Sequence, residues 1–490
     1  MSARADASAA TAVFKAGFAE RDITPELGME VPGGYGKAYC RTIHDPCKVR
    51  AAVFDDGKSR VALVSTDGGF IFRPVVQAAR EAIRRQCGIP PEAVLIGATH
   101  SHSSGPLGMV QPGQYDHASQ LVRTLAYEKS SCADAKYLER VQRQIVAAVC
   151  QANQSRSASH CGVGKGIEDK VSFNRRQRMK NGLTYTHAGQ GNPDILGYAG
   201  PADPEVGVLG SWDSSGKLQG CVVDFACHAT TNPGGISANY IYYLEQTIRG
   251  SFGPQSIVLF FPGDSGDVTQ VDNLSRYANP PGERWAQLVG GRVGAEAVKV
   301  LSSMEPGRLA PLDARSKLLT IHRRVPSPER VRQCLELVTK DPKDVGATRW
   351  AFAKEIVLLD ALLAKSPSAE VEVQAIQVGP AVFLASPGEL FCQYQLQQKA
   401  QSPFPMTFCV SVANGFEGYV PTDEAMGDHG GGYETRLTSV SNLEVGAGRR
   451  IVETALELAR QMTPGPLPMP PKAPPFHQPW PYGNVPPERE

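Results

Sequence analysis

Short apolar runs bounded by turn formers alternate along this chain with longer stretches whose apolar positions recur at helical spacing. Val49–Phe54 and Val61–Ser65 read as strands, and the Asp56-Gly57 step between them is a hairpin signal. A helix is predicted over 74–85, then a buried strand at Val94-Leu95-Ile96-Gly97. Asp134 is placed to cap a helix whose apolar stripe is Leu138, Val141, Ile145 and Val149. Further strands are expected at 220–226, 257–261, 371–378, 381–385 and 407–412, and helices near 283–302, 329–339, 347–364 and 448–462. Residues 107–133 show no clear periodicity and read as a long surface loop or lid.

Strands alternating with helices, without an internal repeat, predict an α/β fold: a single large mixed-sheet domain with helices packed around it. The domain is expected over 13–462, between a flexible N-terminus at 1–12 and a tail at 463–490. From Pro464 onward there are 11 prolines in 27 residues, which neither continue a helix nor pair inside a sheet, so this end is expected to be extended.

Composition narrows the function classes. Fifty Lys and Arg against 49 Asp and Glu leave a net charge of +1, so no global field points to nucleic acid or an anionic membrane. No apolar run is long enough to cross a bilayer, and the first ten residues lack the apolar stretch of a secretory signal. Eleven cysteines, an odd number with no Cys-x-x-Cys pair, fit buried thiols in a reducing compartment. A cytoplasmic protein is therefore expected, with a secreted or periplasmic one as the alternative.

The chemistry gathers at strand ends. Thr99-His100-Ser101-His102-Ser103 follows the strand at 94–97 and puts two imidazoles near the rim of a sheet, where α/β proteins keep their sites. His228 leaves another apolar strand. Gly263-Asp264-Ser265-Gly266-Asp267-Val268-Thr269, Pro387-Gly388-Glu389 and Gly415-Phe416-Glu417-Gly418-Tyr419 close three more. Imidazoles with one carboxylate are the donor set of an open catalytic zinc site.

These motifs, with Gly33-Gly34-Tyr35-Gly36-Lys37, Ser65-Thr66-Asp67, Asn174-Arg175 and Tyr433-Glu434, occur in an order that resembles the neutral/alkaline ceramidase family, over roughly residues 14 to 462. The resemblance implies a zinc-dependent hydrolase of linear amides (N-acyl compounds) in sphingolipid and lipid metabolism. It implies one zinc ion per chain, held by His100, His228, Glu389 and Tyr419. His102 and Arg175 would line the substrate carbonyl, and Tyr433 would assist. Thr269 stands where the family has serine, and Thr269-Gln270-Val271 replaces Ser-Pro-Asn, which makes a substrate other than ceramide an open expectation. Asp267 is read as orienting a ligand histidine or the Thr269 hydroxyl, or as capping the following turn. The family's C-terminal immunoglobulin-like domain has no counterpart in the Pro-rich tail.

Two other readings remain. Gly263-Asp264-Ser265-Gly266 offers a nucleophile, and His228 or His102 a base, for a metal-independent serine or threonine hydrolase of amides or esters. A non-catalytic lipid- or carbohydrate-binding relative is the other. A metallo-β-lactamase pattern fails because Ser103-Ser104-Gly105 follows the His-x-His, and an amidohydrolase barrel fails because strands precede it. The expected partner is a small-molecule or lipid-like amide substrate.

Overall fold

Strand Lys48–Asp55 is buried at every position from Val49 to Phe54, the signature of a strand covered on both faces. In the computed structural model, which describes residues 13–474 and 480–490, it lies inside an eight-stranded sheet. The sheet runs Ile257–Pro262, Leu218–Phe225, Glu205–Asp213, Ser157–Ile167, Lys15–Asp22, Lys48–Asp55, Arg60–Thr66, Val94–Ala98. The outermost pair at each edge is parallel and the pairs between are antiparallel, so the expected mixed sheet is present. The expected segment 1–12 lies outside the described residues.

The sheet curls so that its edge strand Ile257–Pro262 packs against the last two strands of the opposite side. Ser65 Oγ donates to the Phe260 carbonyl at 2.6 Å. A Cβ on Gly97 would touch the Phe261 ring at 3.1 Å. A second sheet, ordered Leu312–His322, Ser368–Val378, Ala381–Ala385, Met406–Val410, feeds into this junction. Beyond its last strand, Asn414 N donates to Ile96 O at 2.8 Å and Ser411 N donates to Pro262 O at 3.0 Å. Strand ends from both sheets therefore face one another.

Helices cover the outer faces. Arg73–Cys87 and Ala135–Gln154 pack on the first sheet, and Gly17 lets the second come close: a Cβ there would meet Ala152 O at 2.1 Å. As expected, Asp134 caps the second, accepting from Tyr137 N at 2.8 Å. Tyr240–Phe252 and Gly282–Ser303 cover the far half of the sheet, and Ala447–Arg460 covers the second sheet.

Two expectations need correction. Residues 107–133 are not all loop: Gln120–Tyr127 is a helix capped by Ser119, with Val122 and Leu125 packed into a cluster with Ile356 and Leu359 of the helix Ala347–Lys365. Nor are all thiols unpaired. Helices Arg73–Cys87 and Ala135–Gln154 lie side by side and bring Cys87 and Cys150 to a Cα separation of 5.9 Å, where they form a disulfide. The other nine cysteines are free. The tail has no helix or strand among its described residues, as expected. Its start is anchored: Gly465 N donates to Gly379 O at 3.0 Å, and Gln377 Nε2 donates to Thr463 O at 2.7 Å. None of the described helices is long and apolar enough to cross a membrane.

Candidate metal centre

His100 sits just past the strand Val94–Ala98 with a backbone φ of 62°, a left-handed conformation that few non-glycine residues adopt. Such strain persists where the surroundings over-determine it, and it concentrates at functional sites. The turn below is held by a buried ionic cluster. Arg50 Nη1 reaches both Asp67 oxygens at 2.9 Å, and Arg50 Nε donates to Glu245 Oε2 at 3.0 Å. Two residues beyond Asp67, the carbonyl of Gly69 accepts from His100 Nδ1 at 2.7 Å.

His228 follows the strand Leu218–Phe225. Its Nδ1 lies 2.7 Å from Ser265 O and 3.0 Å from Val268 O. A carbonyl only accepts, so both histidines carry their proton on Nδ1 and turn an Nε2 lone pair into the same space. This carbonyl-fixed tautomer is how metal-ligating histidines are held. A parallel bridge, Ser101 to Ala229, and the bond from His102 N to Ala229 O at 3.2 Å lock the two chain segments together.

Glu389 supplies the carboxylate. Its Oε2 lies 3.2 Å from His100 Nε2 and 3.2 Å from His228 Nε2. Despite that approach, His228 Nε2 and Glu389 Oε2 are both buried without a hydrogen bond of acceptable geometry. Buried polar atoms are rarely left this way. Lone pairs converging with no proton between them repel unless a cation takes the centre, so this donor set fits a divalent metal. The nitrogens of His100, His102 and His228 also lie within 4.8 Å of one another, so His102 stands close enough to join the donors. Burial, followed by the neighbouring His100 and His228, pushes the His102 pKa well below its ordinary value. Burial lowers that of His228 to about 4.

Tyr419 closes the site. Its ring stacks on His228 at 6.4 Å between centroids, and Arg175 Cζ lies 5.3 Å from the same ring. Arg175 is buried and held from behind: Nε donates to Glu434 Oε1 at 2.7 Å and Nη2 donates to Gly266 O at 2.8 Å. The Tyr433 ring is 5.5 Å from that of Tyr419, and its hydroxyl lies 3.1 Å from the Tyr35 hydroxyl.

The eight residues singled out from the sequence do not all stand alike. His100, His102, His228, Glu389, Tyr419, Arg175 and Tyr433 come together. The buried Thr269 hydroxyl instead donates to its neighbour Gln270 Oε1 at 3.0 Å. Asp267 orients neither a histidine nor Thr269. It accepts from Cys392 N at 2.8 Å, at the start of the helix Cys392–Gln401, and from Asn174 Nδ2 at 2.7 Å. Burial lifts its pKa to about 6. Glu434 and Tyr35 join the site without having stood out in the sequence. Their only signal was adjacency: Glu434 follows Tyr433, and Tyr35 sits among glycines.

A cavity of about 570 Å³ opens at His102, walled by the segment 31–42 and by Thr230 and Asn232. Gly33 presses on the histidine: with φ at 121°, a Cβ there would lie 3.0 Å from His102 O and 3.3 Å from Nδ1.

No family model matches the chain. A neutral ceramidase of Pseudomonas aeruginosa is 25% identical over 335 residues, which span 64% of this chain and 46% of that protein. The chain thus spans about half the length of the curated relative it matches. Two solved structures share the fold: a ceramidase complexed with C2, and the neutral ceramidase from Pseudomonas aeruginosa. Each superposes with a TM-score of 0.67 at 20% identity, over 94% of this chain and 77% of the other. The chain is thus similar to neutral ceramidase in sequence over about two thirds of its length and in fold over nearly all of it.

Proposed function

We propose that this chain hydrolyses the amide bond of a small N-acyl compound, using one zinc ion held by His100, His228, Glu389 and Tyr419. The observation that carries the reading is the convergence of two Nε2 lone pairs on the orphaned Glu389 Oε2. Imidazole and carboxylate donors around one open position are what catalytic zinc takes. The ceramidase homologue, whose name denotes amide hydrolysis, supports the reaction class.

When bound, such an ion acts as a Lewis acid and lowers the pKa of a bound water toward neutrality. Everything else is done by the chain. Tyr419 would supply a phenol oxygen, which the charge of a bound cation would favour in its ionised form. Arg175, buried and anchored by Glu434, holds a permanent positive charge where negative charge develops on the carbonyl oxygen. Donors of this kind lower the barrier by roughly 3–4 kcal/mol. His102 lines the cavity, where it takes up a proton and returns it to the leaving amine. Tyr433 acts beside it, its hydroxyl oriented by Tyr35. Thr269 acts through Gln270, whose amide also donates to Thr230 Oγ1 at 2.9 Å beside the cavity.

A metal-independent hydroxyl nucleophile has less support. His228 Nε2 faces the Glu389 carboxylate rather than a hydroxyl, and the Thr269 hydroxyl is spent on Gln270. The test is metal analysis of purified protein, then a panel of N-acyl amides and esters assayed with wild type, His100→Ala and His228→Ala. Zinc near one equivalent, with turnover lost in both variants and on chelation, is expected. Unchanged turnover in either variant ends the proposal.

A further inference from the structure

The cavity beside His102 has the size of pockets that hold small, drug-sized ligands. Its lining contains one permanent charge, Arg41, and no carboxylate. Arg41 is exposed and has no ion-pair partner among the described residues, while an acid of the same loop is already engaged. That acid, Glu30, pairs with Lys37 and accepts from Cys132 N at 3.1 Å. The loop itself is held in shape. Val31 N donates to Ala38 O at 2.9 Å, Cys40 N donates to Met29 O at 2.7 Å, and Gly33 rests on His102. The guanidinium is thus carried on an ordered wall whose other end touches the proposed catalytic histidine. Asn232, which also lines the cavity, holds a left-handed φ of 46°. An arginine fork matches a carboxylate in a two-pronged hydrogen bond.

We infer that the substrate carries a carboxylate, which Arg41 receives while the amide lies against His102: the enzyme takes N-acyl amino acids or close relatives. The inference rests on the proposed amide hydrolysis and adds the charge of the substrate to it. The reaction balances simply. Water adds across the C–N bond, the acyl carbon gains the hydroxyl as a carboxylic acid, and the nitrogen leaves with the proton as the free amino acid.

Two probes differ only in the group that Arg41 would read: N-hexanoylglycine and N-hexanoylethanolamine. The wild type should favour the glycine compound in kcat/KM by tenfold or more. Arg41→Gln should bring that ratio close to one, through KM, and Arg41→Glu should invert it. Equal kcat/KM for the two compounds in the wild type, or a preference that survives Arg41→Gln, overturns the inference. Binding separates it from the reaction itself. If neither compound is hydrolysed, the amide-hydrolase reading fails. Thermal unfolding then decides the Arg41 site alone: N-hexanoylglycine raising Tm in the wild type but not in Arg41→Gln upholds it, and no rise in the wild type rejects it.

Discussion

Glu389 and Tyr419 are register partners, facing each other across a two-stranded parallel pair, Glu389–Leu390 with Tyr419–Val420. Residues 30 apart in sequence are thereby fixed side by side, with Glu389 N donating to Gly418 O at 2.8 Å. Gly418 adopts φ of 66°, and a Cβ there would sit 2.1 Å from Val440 O, so this register is available to glycine. Tyr419→Phe keeps the ring on His228 and removes only the phenol oxygen. Losing partners of metal ligands costs about 10–100-fold in metal affinity. Removing a ligand should cost at least as much, with Tm of the metal-free protein unchanged. Competition with a chelator reads the zinc affinity, and a value equal to wild type removes Tyr419 from the ligand set.

Glu434 faces Arg175 and Arg176 at once, with its own side chain fully buried. Glu434→Gln leaves two guanidinium groups without their countercharge in the interior. Breaking one partner from a buried pair costs about 3–5 kcal/mol, so Tm should fall clearly. The sharper readout is catalytic. With Arg175 held at Nε by an amide oxygen in place of a carboxylate, kcat should fall more than KM rises while zinc content stays at wild type. Glu434→Asp should recover part of kcat. Loss of zinc together with kcat would instead make Glu434 a support of the metal site.

Gly33 is where backbone conformation and site chemistry meet. Alanine there is strained at φ of 121° and pushes on His102. Strain of this kind costs of order 1–3 kcal/mol, which a surface loop relieves by moving. Gly33→Ala should therefore leave zinc content and the fold intact and lower kcat. A misplacement of about 1 Å is enough for roughly a hundredfold loss. Full activity in this variant would show that the segment 31–42 does not position His102.

The strands that lead into the site were legible because they are buried on both faces and read as unbroken apolar runs, as Val94–Ala98 does. The strand Ser157–Ile167 was not, and its glycines explain why. At Gly162, Gly164 and Gly166 a Cβ would strike Met304, Val300 and Glu296, so the face that normally carries apolar side chains is bare to admit the helix Gly282–Ser303. Helix Gln120–Tyr127 is too short, at eight residues, to display a period inside a polar segment. In the site, His-x-His and Gly-Asp-Val-Thr announced themselves by composition. Glu434 and Gly69 did not, because one acts through a distant arginine and the other through its backbone carbonyl alone. Contacts made between segments far apart leave no local pattern to read.

Asp264, buried under the site, links acidity to stability. Its carboxylate accepts from Ser411 Oγ at 2.8 Å and from Gln398 Nε2 at 3.0 Å, yet burial outweighs these bonds and lifts its pKa to about 7. An ordinary aspartate titrates at 3.8. Below that pH both folded and unfolded chains hold the proton. Between 3.8 and about 7 the unfolded chain has lost it and the folded chain has not, so stability declines as pH rises through this window. At roughly 1.4 kcal/mol per unit, the decline from this group is about 4 kcal/mol by pH 7. Asp45 and Asp267, each lifted to about 6, add in the same sense. Glu245 has the opposite character. Burial alone would raise it, but Arg50, Lys48 and Arg249 hold it near 2, so its stabilisation is lost only on acidification from 4.5 down through 2. Asp264→Asn removes the titrating proton and keeps an acceptor for Ser411. Urea unfolding at about pH 4.5 and pH 7.5 should show the wild type losing stability across the interval and the variant losing several kcal/mol less. Equal losses in the two proteins would mean that Asp264 is ionised in the fold throughout.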